Sequence, residues 1–153
     1  MRREERNVYP LVFAYGSNLD VRQMRARCPS AAPLEPAMLR RARLVFGGHS
    51  ARWGGGVATL VPDPSSVVFG ALYRLAPGDL PGLDRFEGAP FVYERVRLSL
   101  CDVYGRRRRA QAYVKLHAAR ARPPAPTYLM TILRAYDALG FDTAPVLRAA
   151  FGR

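Results

Sequence analysis

The sequence predicts an α+β domain with many short strands and few helices. Short apolar runs rich in β-branched and aromatic residues recur along the chain, and Gly and Pro separate them. Only two or three segments show the apolar spacing of a helix. A sheet of many short strands often closes into a barrel, because closure removes its exposed edges. A chain of 153 residues can bury one sizeable core, so we expect a single domain over residues 1–153, with 1–8 and 144–153 at its periphery.

The first half of the chain predicts a strand, a loop and a helix, followed by further strands. Residues 9–15 form the opening strand, and Asp20 is a suitable N-cap for a short helix that Pro29 prevents from continuing beyond about Arg27. The turn between them is Gly-Ser-Asn. The remaining predicted elements are short strands and one exposed, glycine-rich loop: strands at 38–46, 57–61 and 67–75, and the loop at 47–56.

The second half predicts a short helix, a hairpin and a longer helix. Leucine and phenylalanine recur at helical spacing after Pro77 and the pattern ends at Gly88, which places Glu87 at the end of a helix. Residues 92–103 and 107–116 predict a long hairpin. The proline-rich segment 120–126 is then an irregular connector to a helix over about 127–139, which Gly140 stops.

The composition excludes several classes of protein. No apolar run approaches the length of a membrane span, and no secretory signal begins the sequence, so we expect a cytoplasmic protein. Neither Cys28 and Cys101 nor His49 and His117 have the spacing of a disulfide scaffold or a metal site. No G-x-S-x-G motif nominates a serine nucleophile.

The formal charge of +12 has two readings. It can attract anions such as nucleic acid, an anionic membrane or a small acidic substrate. It can also reflect composition alone, because Lys115 is the only lysine and arginine accompanies abundant Ala, Gly and Pro. We favour the second reading, and we expect no specific nucleic-acid partner and no membrane partner.

Three features carry candidate chemistry. A Gly-Ser-Asn turn between a strand and a helix exposes backbone N–H groups that can hold a carboxylate or an oxyanion. An apolar surround at Glu87 would raise its pKa and suit it to proton transfer. Tyr128 follows the rigid connector, which could direct its hydroxyl inward. Each feature also has a simple structural reading: a capped turn, a solvated helix end and a packing aromatic.

Four motifs in order give these features a common meaning: FAYGSNLD-x-x-QM, WGGGVATLVP, LDRFEG-x-x-x-x-Y-x-R and PPAP-x-Y. Together they closely resemble the γ-glutamyl cyclotransferase family over about residues 11–141. The first motif resembles the YGSN-type members, with AIG2-like and γ-glutamylamine cyclotransferase relatives, and not the glutathione-specific ones. The resemblance therefore implies a small mixed β-barrel with peripheral helices, and a main substrate other than glutathione.

The resemblance also implies a role for each matched position. Glu87 corresponds to the catalytic acid/base of the family. The residues expected to bind substrate are Tyr15, Gly16, Ser17, Asn18, Leu19, Tyr93 and Tyr128. In the implied reaction the α-amine of a γ-glutamyl group attacks its own γ-carbonyl, which releases 5-oxoproline and a free amine or amino acid. This small-molecule chemistry requires no cofactor and no metal, because the substrate supplies the nucleophile.

Two alternatives remain open from the sequence. The same chemistry could remove a γ-glutamyl group from an amine, such as a lysine-type crosslink or a protected biosynthetic intermediate. Alternatively, the barrel could be a non-catalytic binding protein that uses its basic surface: Arg40, Arg41, Arg43 and the run 106–109. Retention of both Glu87 and the YGSN loop argues against the second alternative. The sequence allows either a monomer or a homodimer.

Overall fold

The computed structural model describes residues 9–115 and 120–152, within which it contains five strands, four helices and one 3₁₀ turn, Ser17–Leu19. The predicted positions 1–8, 116, 117 and 153 lie outside the described residues. The strands are β1 Leu11–Ala14, β2 Ala32–Ser50, β3 Gly55–Arg74, β4 Glu94–Asp102 and β5 Arg107–Val114. The helices are α1 Val21–Arg27, α2 Leu80–Glu87, α3 Pro126–Leu139 and α4 Ala144–Phe151.

The strands close into a barrel in the order β1-β3-β2-β4-β5. Neighbouring strands are antiparallel except for β1 and β5, which are parallel and meet at Val12 and Gln111. Phe13, Leu72 and Tyr73 are almost fully buried between these strands. The predicted α+β class and the small mixed barrel with peripheral helices are confirmed.

The strand lengths differ from the sequence prediction. Strands β2 and β3 have 19 and 20 residues, whereas the sequence indicated separate short strands at 57–61 and 67–75. Pro62 lies between those two predicted strands, and the structure accommodates it at a bulge: Ala42 pairs with Pro62 while Arg40 pairs with Val67. The intervening residues leave the ladder, and a bulge is a position where a strand tolerates proline.

The prediction of an exposed loop over the glycine-rich residues 47–56 is also wrong. Residues 47–50 belong to β2, and only 51–54 form the turn before β3. Gly56 has a packing role, because its N–H donates to Pro123 O at 3.0 Å and a Cβ there would lie 2.1 Å from Arg122 O. The absence of a side chain therefore lets the proline-rich connector run against β3 and fixes where α3 begins.

The helix boundaries agree well with their sequence signals. The Asp20 side chain caps α1 by accepting from the N–H of Arg22 at 2.9 Å and of Gln23 at 3.4 Å. Helix α2 ends at Glu87 and is capped by Gly88, whose φ of 71° is in the left-handed region. The chain also forms α4, which the sequence analysis did not predict and which buries Val146. Within the described ranges no helix is long and apolar enough to cross a membrane.

Candidate active site

A cavity of about 420 Å³ lies where the loop after β1 meets the β2–β3 turn, the end of α2 and the start of α3. Seven of the eight predicted site residues line it: Tyr15, Gly16, Ser17, Asn18, Glu87, Tyr93 and Tyr128. Residues far apart in sequence therefore converge on one concave surface, which is the usual setting of a small-molecule site. The eighth, Leu19, is 3% exposed in the core and does not line the cavity.

Glu87 presents a nearly buried carboxylate to this cavity. Its Oε1 accepts a hydrogen bond from Asn18 Nδ2 at 3.0 Å and lies 3.5 Å from Arg27 Nη1. Among the described residues, none donates a hydrogen bond to Oε2. Burial raises the pKa of Glu87 above its usual value of 4.5, and Asn18, Arg27 and Arg52 offset only part of that increase. The group therefore has one free oxygen and an increased affinity for a proton.

Helix α1 fixes the orientation of the Asn18 amide. Arg27 Nη1 donates to Asn18 Oδ1 at 2.9 Å, and Gln23 Nε2 lies 3.4 Å from the same oxygen and 2.6 Å from Ser17 Oγ. With its oxygen held by these donors, Asn18 directs its NH₂ group at Glu87. Gln23 and Arg27 are four residues apart and so share the helix face that meets the loop.

The loop after β1 offers backbone donors to the cavity. The N–H of Leu19 bonds to Gly16 O and that of Asp20 bonds to Ser17 O, both at 3.0 Å, which forms the tight turn. No described residue accepts a hydrogen bond from the N–H groups of Gly16, Ser17 or Asn18. Three successive free donors at a tight turn can bind a carboxylate or stabilise an oxyanion.

Tyr128 lines the cavity beside Gly16 of the loop. Its hydroxyl accepts from Ala58 N at 2.9 Å, so its own proton is free to donate elsewhere. A Cβ on Gly16 would lie 3.5 Å from this hydroxyl and 3.3 Å from Ala58 Cβ, so glycine keeps the gap between them open. The ring of Trp53 lies 5.0 Å from that of Tyr128, centroid to centroid, and helps to hold it.

The tyrosines of the cavity are neutral hydrogen-bonding groups. Tyr15 donates its hydroxyl proton to the carbonyl oxygen of Tyr113, whose own hydroxyl donates to Asp84 Oδ1 at 2.7 Å. Burial raises the pKa of Tyr15, Tyr93 and Tyr128 well above the usual phenol value, and neighbouring acidic groups raise it further. These phenols consequently remain protonated, and the carboxylate of Glu87, whose pKa is raised, is suited to accept a proton.

Three cations line the cavity that the sequence analysis did not nominate: Arg27, Arg52 and Lys115. The guanidinium groups of Arg27 and Arg52 lie 4.2 and 4.4 Å from the ring centroid of Phe86, and Lys115 Nζ lies 5.8 Å from that of Tyr93. Helical spacing after the YGSN loop could have indicated Arg27. No local signal marks Arg52, because its place depends on where the long β2–β3 hairpin turns.

The described part of the chain contains no group of three or more His, Cys, Asp or Glu side chains that could hold a metal ion. The charged and titratable side chains of the described residues that line the cavity are one carboxylate, several phenols, the three cations and the imidazole of His49. This set suits the binding of an anionic organic molecule and the transfer of a proton within it.

Comparisons with known proteins agree with the four motifs. The family model described as gamma-glutamyl cyclotransferase, AIG2-like, matches residues 12–129. A Mus musculus protein named gamma-glutamylcyclotransferase is 33% identical over 127 residues, which cover 80% of this chain and 67% of that protein. The Homo sapiens protein of the same name is 32% identical over 123 residues, which cover 77% of this chain and 65% of that one.

A solved structure titled gamma-glutamyl cyclotransferase has the same architecture. It superposes with a TM-score of 0.83 at 29% sequence identity, and the match covers 87% of this chain and 81% of that one. In the two sequence alignments the chain spans about two thirds of the length of its curated relatives.

Proposed function

The chain belongs to the gamma-glutamyl cyclotransferase, AIG2-like family, and from this premise we propose that it cyclises γ-glutamyl compounds to 5-oxoproline and releases a free amine or amino acid. The observation that carries the proposal is the position of Glu87. It is a buried carboxylate with one free oxygen, and it lines the same cavity of about 420 Å³ as the YGSN loop, whose Asn18 side chain donates to it. That volume accommodates a γ-glutamyl dipeptide.

In the proposed reaction Glu87 moves protons between two nitrogens of the substrate. Its carboxylate takes a proton from the α-ammonium group, and the freed amine attacks the γ-carbonyl carbon to form the new C–N bond. The protonated Glu87 then donates to the amide nitrogen, and the original C–N bond breaks. In all, the α-nitrogen loses two protons and the leaving nitrogen gains two, so the carboxylate is regenerated. Its raised pKa favours this exchange near neutral pH.

The remaining cavity groups bind and orient the substrate in this proposal. The N–H groups of Gly16, Ser17 and Asn18 hold either the α-carboxylate or the oxyanion that develops on the γ-carbonyl. The free proton of the Tyr128 hydroxyl supplies one further donor. Holding amine and carbonyl in an attack geometry removes much of the entropic barrier to ring closure. The protein needs no nucleophile of its own, because the substrate contains one.

A substrate panel tests the proposal. The purified chain is incubated with γ-glutamyl amino acids, γ-glutamyl amines and glutathione, and 5-oxoproline is quantified, with the Glu87→Gln variant purified in parallel to reveal any contaminating activity. We expect 5-oxoproline from at least one γ-glutamyl compound with the wild type and none above background with the variant. Equal release by both proteins, or no release from any member of the panel, would refute the proposal.

A further inference from the structure

The charges of the cavity are not balanced by its own side chains. Among the residues that the structure describes, Glu87 is the only carboxylate that lines it, and Arg27 already pairs with that group at 3.5 Å. Within residues 9–115 and 120–152, neither Arg52 nor Lys115 has a carboxylate within ion-pair distance. The cavity thus presents two cations that a substrate with two carboxylates could neutralise.

Of these two cations, Arg52 is the one that packs on the helix carrying Glu87. It extends from the β2–β3 turn so that its guanidinium lies 4.4 Å from the ring centroid of Phe86, the residue before Glu87. Its charge is close enough to lower the pKa of Glu87. Lys115 lies instead against Tyr93. Arg52 is exposed, so its position on Phe86 is one that the side chain can leave to bind a ligand.

The proposed chemistry constrains where the leaving group lies. Glu87 must reach the leaving nitrogen to protonate it, and in an α-amino acid the carboxylate carbon is only about 2.5 Å from that nitrogen by standard bond lengths. A carboxylate on the leaving group would therefore lie close to the carboxylate of Glu87. Such a pair of like charges requires a cation beside it, and Arg27 is already engaged by Glu87 and Asn18.

We propose that Arg52 binds the α-carboxylate of the leaving amino acid and thereby selects γ-glutamyl α-amino acids over γ-glutamyl amines. This inference rests on the function proposed above and deepens it to a substrate class. It also predicts poor use of glutathione. There the leaving group is a dipeptide, whose carboxylate is one residue farther from the leaving nitrogen.

The test compares γ-glutamyl-alanine with γ-glutamyl-alaninamide, which differ in the charge of one group. We measure kcat/KM for both with the wild type, Arg52→Gln and Arg85→Gln at pH 8, where more of Glu87 is ionised than at neutral pH. Arg85 is a matched control, because it is exposed on the same helix as Phe86 and does not line the cavity. Its substitution by Gln removes the same charge as Arg52→Gln. For each protein we take the ratio of kcat/KM for γ-glutamyl-alanine to kcat/KM for γ-glutamyl-alaninamide. Comparing this ratio between proteins cancels the difference in intrinsic reactivity of the two substrates.

We expect the wild type to prefer γ-glutamyl-alanine, and Arg52→Gln to lower that preference by about 10- to 100-fold, the range of a charge-assisted hydrogen bond. The loss should affect the acid substrate and leave the amide nearly unchanged, and Arg85→Gln should keep the wild-type ratio. An equal loss on both substrates would place Arg52 on the glutamyl carboxylate and overturn the inference. A changed ratio in Lys115→Gln with an unchanged ratio in Arg52→Gln would also overturn it.

The wild-type measurements separate failure of this inference from failure of the proposed function. If the wild type converts both substrates to 5-oxoproline at equal kcat/KM, the inference is wrong and the proposed function stands. If it converts neither these nor any other γ-glutamyl compound, both fail.

Discussion

Glu87 at the end of α2 and Asp102 at the end of β4 have carboxylates that are 11% and 0% exposed, respectively. Asp102 Oδ1 accepts from the backbone N–H groups of Tyr104 and Arg106, both at 2.9 Å, and its Oδ2 accepts from Arg106 Nε at 2.8 Å. Arg108 Nη1 adds a fourth contact, the second from a cation, at 3.7 Å. Glu87 has one amide donor and one guanidinium at 3.5 Å.

Because their hydrogen-bond donors differ, the pKa values of the two carboxylates are shifted in opposite directions. Burial alone would raise the pKa of Asp102, but the hydrogen bonds at the hairpin turn outweigh it and hold the pKa below its usual range. At Glu87 burial prevails, and the pKa is raised. A buried carboxylate with a full set of donors stabilises a turn, whereas one with an unfilled oxygen can exchange a proton with a ligand. Substitutions at four positions test this difference between the two carboxylates.

The largest expected effect is on catalysis at Glu87. The Glu87→Gln variant should lose about 10²- to 10⁴-fold in kcat, because the amide cannot carry a proton between nitrogens. Its Tm should stay within about 3 °C of the wild type, since the shape is retained and a costly buried charge is removed. The measurements are 5-oxoproline release and thermal unfolding. Glu94→Gln, which lies outside the cavity, is the control and should turn over normally. Near-normal kcat in Glu87→Gln would abolish the contrast.

The next effect is on stability at Asp102. Asp102→Asn should lower Tm by about 5–10 °C, because it places an NH₂ group against donors, while kcat/KM stays within about twofold. A folded-state pKa below the ordinary 3.8 means that the carboxylate stabilises the fold above that pH and loses this effect as the pH falls through the lower value. The Tm difference between variant and wild type should therefore shrink in acid. A loss of activity at unchanged Tm would contradict this prediction.

A smaller effect concerns the pH dependence of turnover. The reaction needs ionised Glu87, so kcat/KM should fall as the pH drops through the pKa of that group. Arg27 lowers this pKa, so Arg27→Met should move the acid limb to higher pH while costing less than about tenfold at pH 8. Arg22→Met, an exposed arginine of the same helix, is the control. A limb that stays in place or moves to lower pH would show that Arg27 does not set the proton affinity of Glu87.

The smallest expected effect is at Tyr128, which contributes no charge to the cavity. Tyr128→Phe should lower kcat/KM by about 3- to 10-fold, because a donor to the substrate and the acceptor for Ala58 N are both lost. The acid limb of the pH profile should not move. Tyr136→Phe, on the same helix but outside the cavity, should match the wild type. A loss as large as that of Glu87→Gln would assign proton transfer to the phenol instead.

Local signals predicted the helix boundaries of this fold well. Asp20 caps α1 and Gly88 and Gly140 end α2 and α3, because the side chain or the left-handed conformation of one residue decides each boundary. Strand lengths were predicted poorly at Pro62, since a bulge depends on the partner strand as well as on the proline. The short helix α4 was not predicted, because its buried residues Val146 and Ala150 are explained only by the packing of α4 against β2.

The candidate site shows the same division between local and long-range information. Motif order indicated Glu87 and the YGSN loop, and the structure brings them within hydrogen-bonding distance; their roles stay predictions. Leu19 was included because it follows the motif, but the tight turn that exposes its neighbours directs this side chain into the core. Arg52 could not be predicted as a site residue, because its contact with Phe86 forms only when the barrel has folded.

Glu87 is the last residue of α2, so its carboxylate lies at the carboxyl end of a helix. The aligned peptide dipoles of a helix give its carboxyl end a partial negative charge, which disfavours an ionised acid there. Asp20 occupies the opposite position at the amino end of α1, where its side chain accepts hydrogen bonds from the first backbone N–H groups of the helix. The carboxyl end of α2 is thus an unfavourable place for a charged carboxylate, and this effect of the backbone does not depend on which side chains surround the cavity.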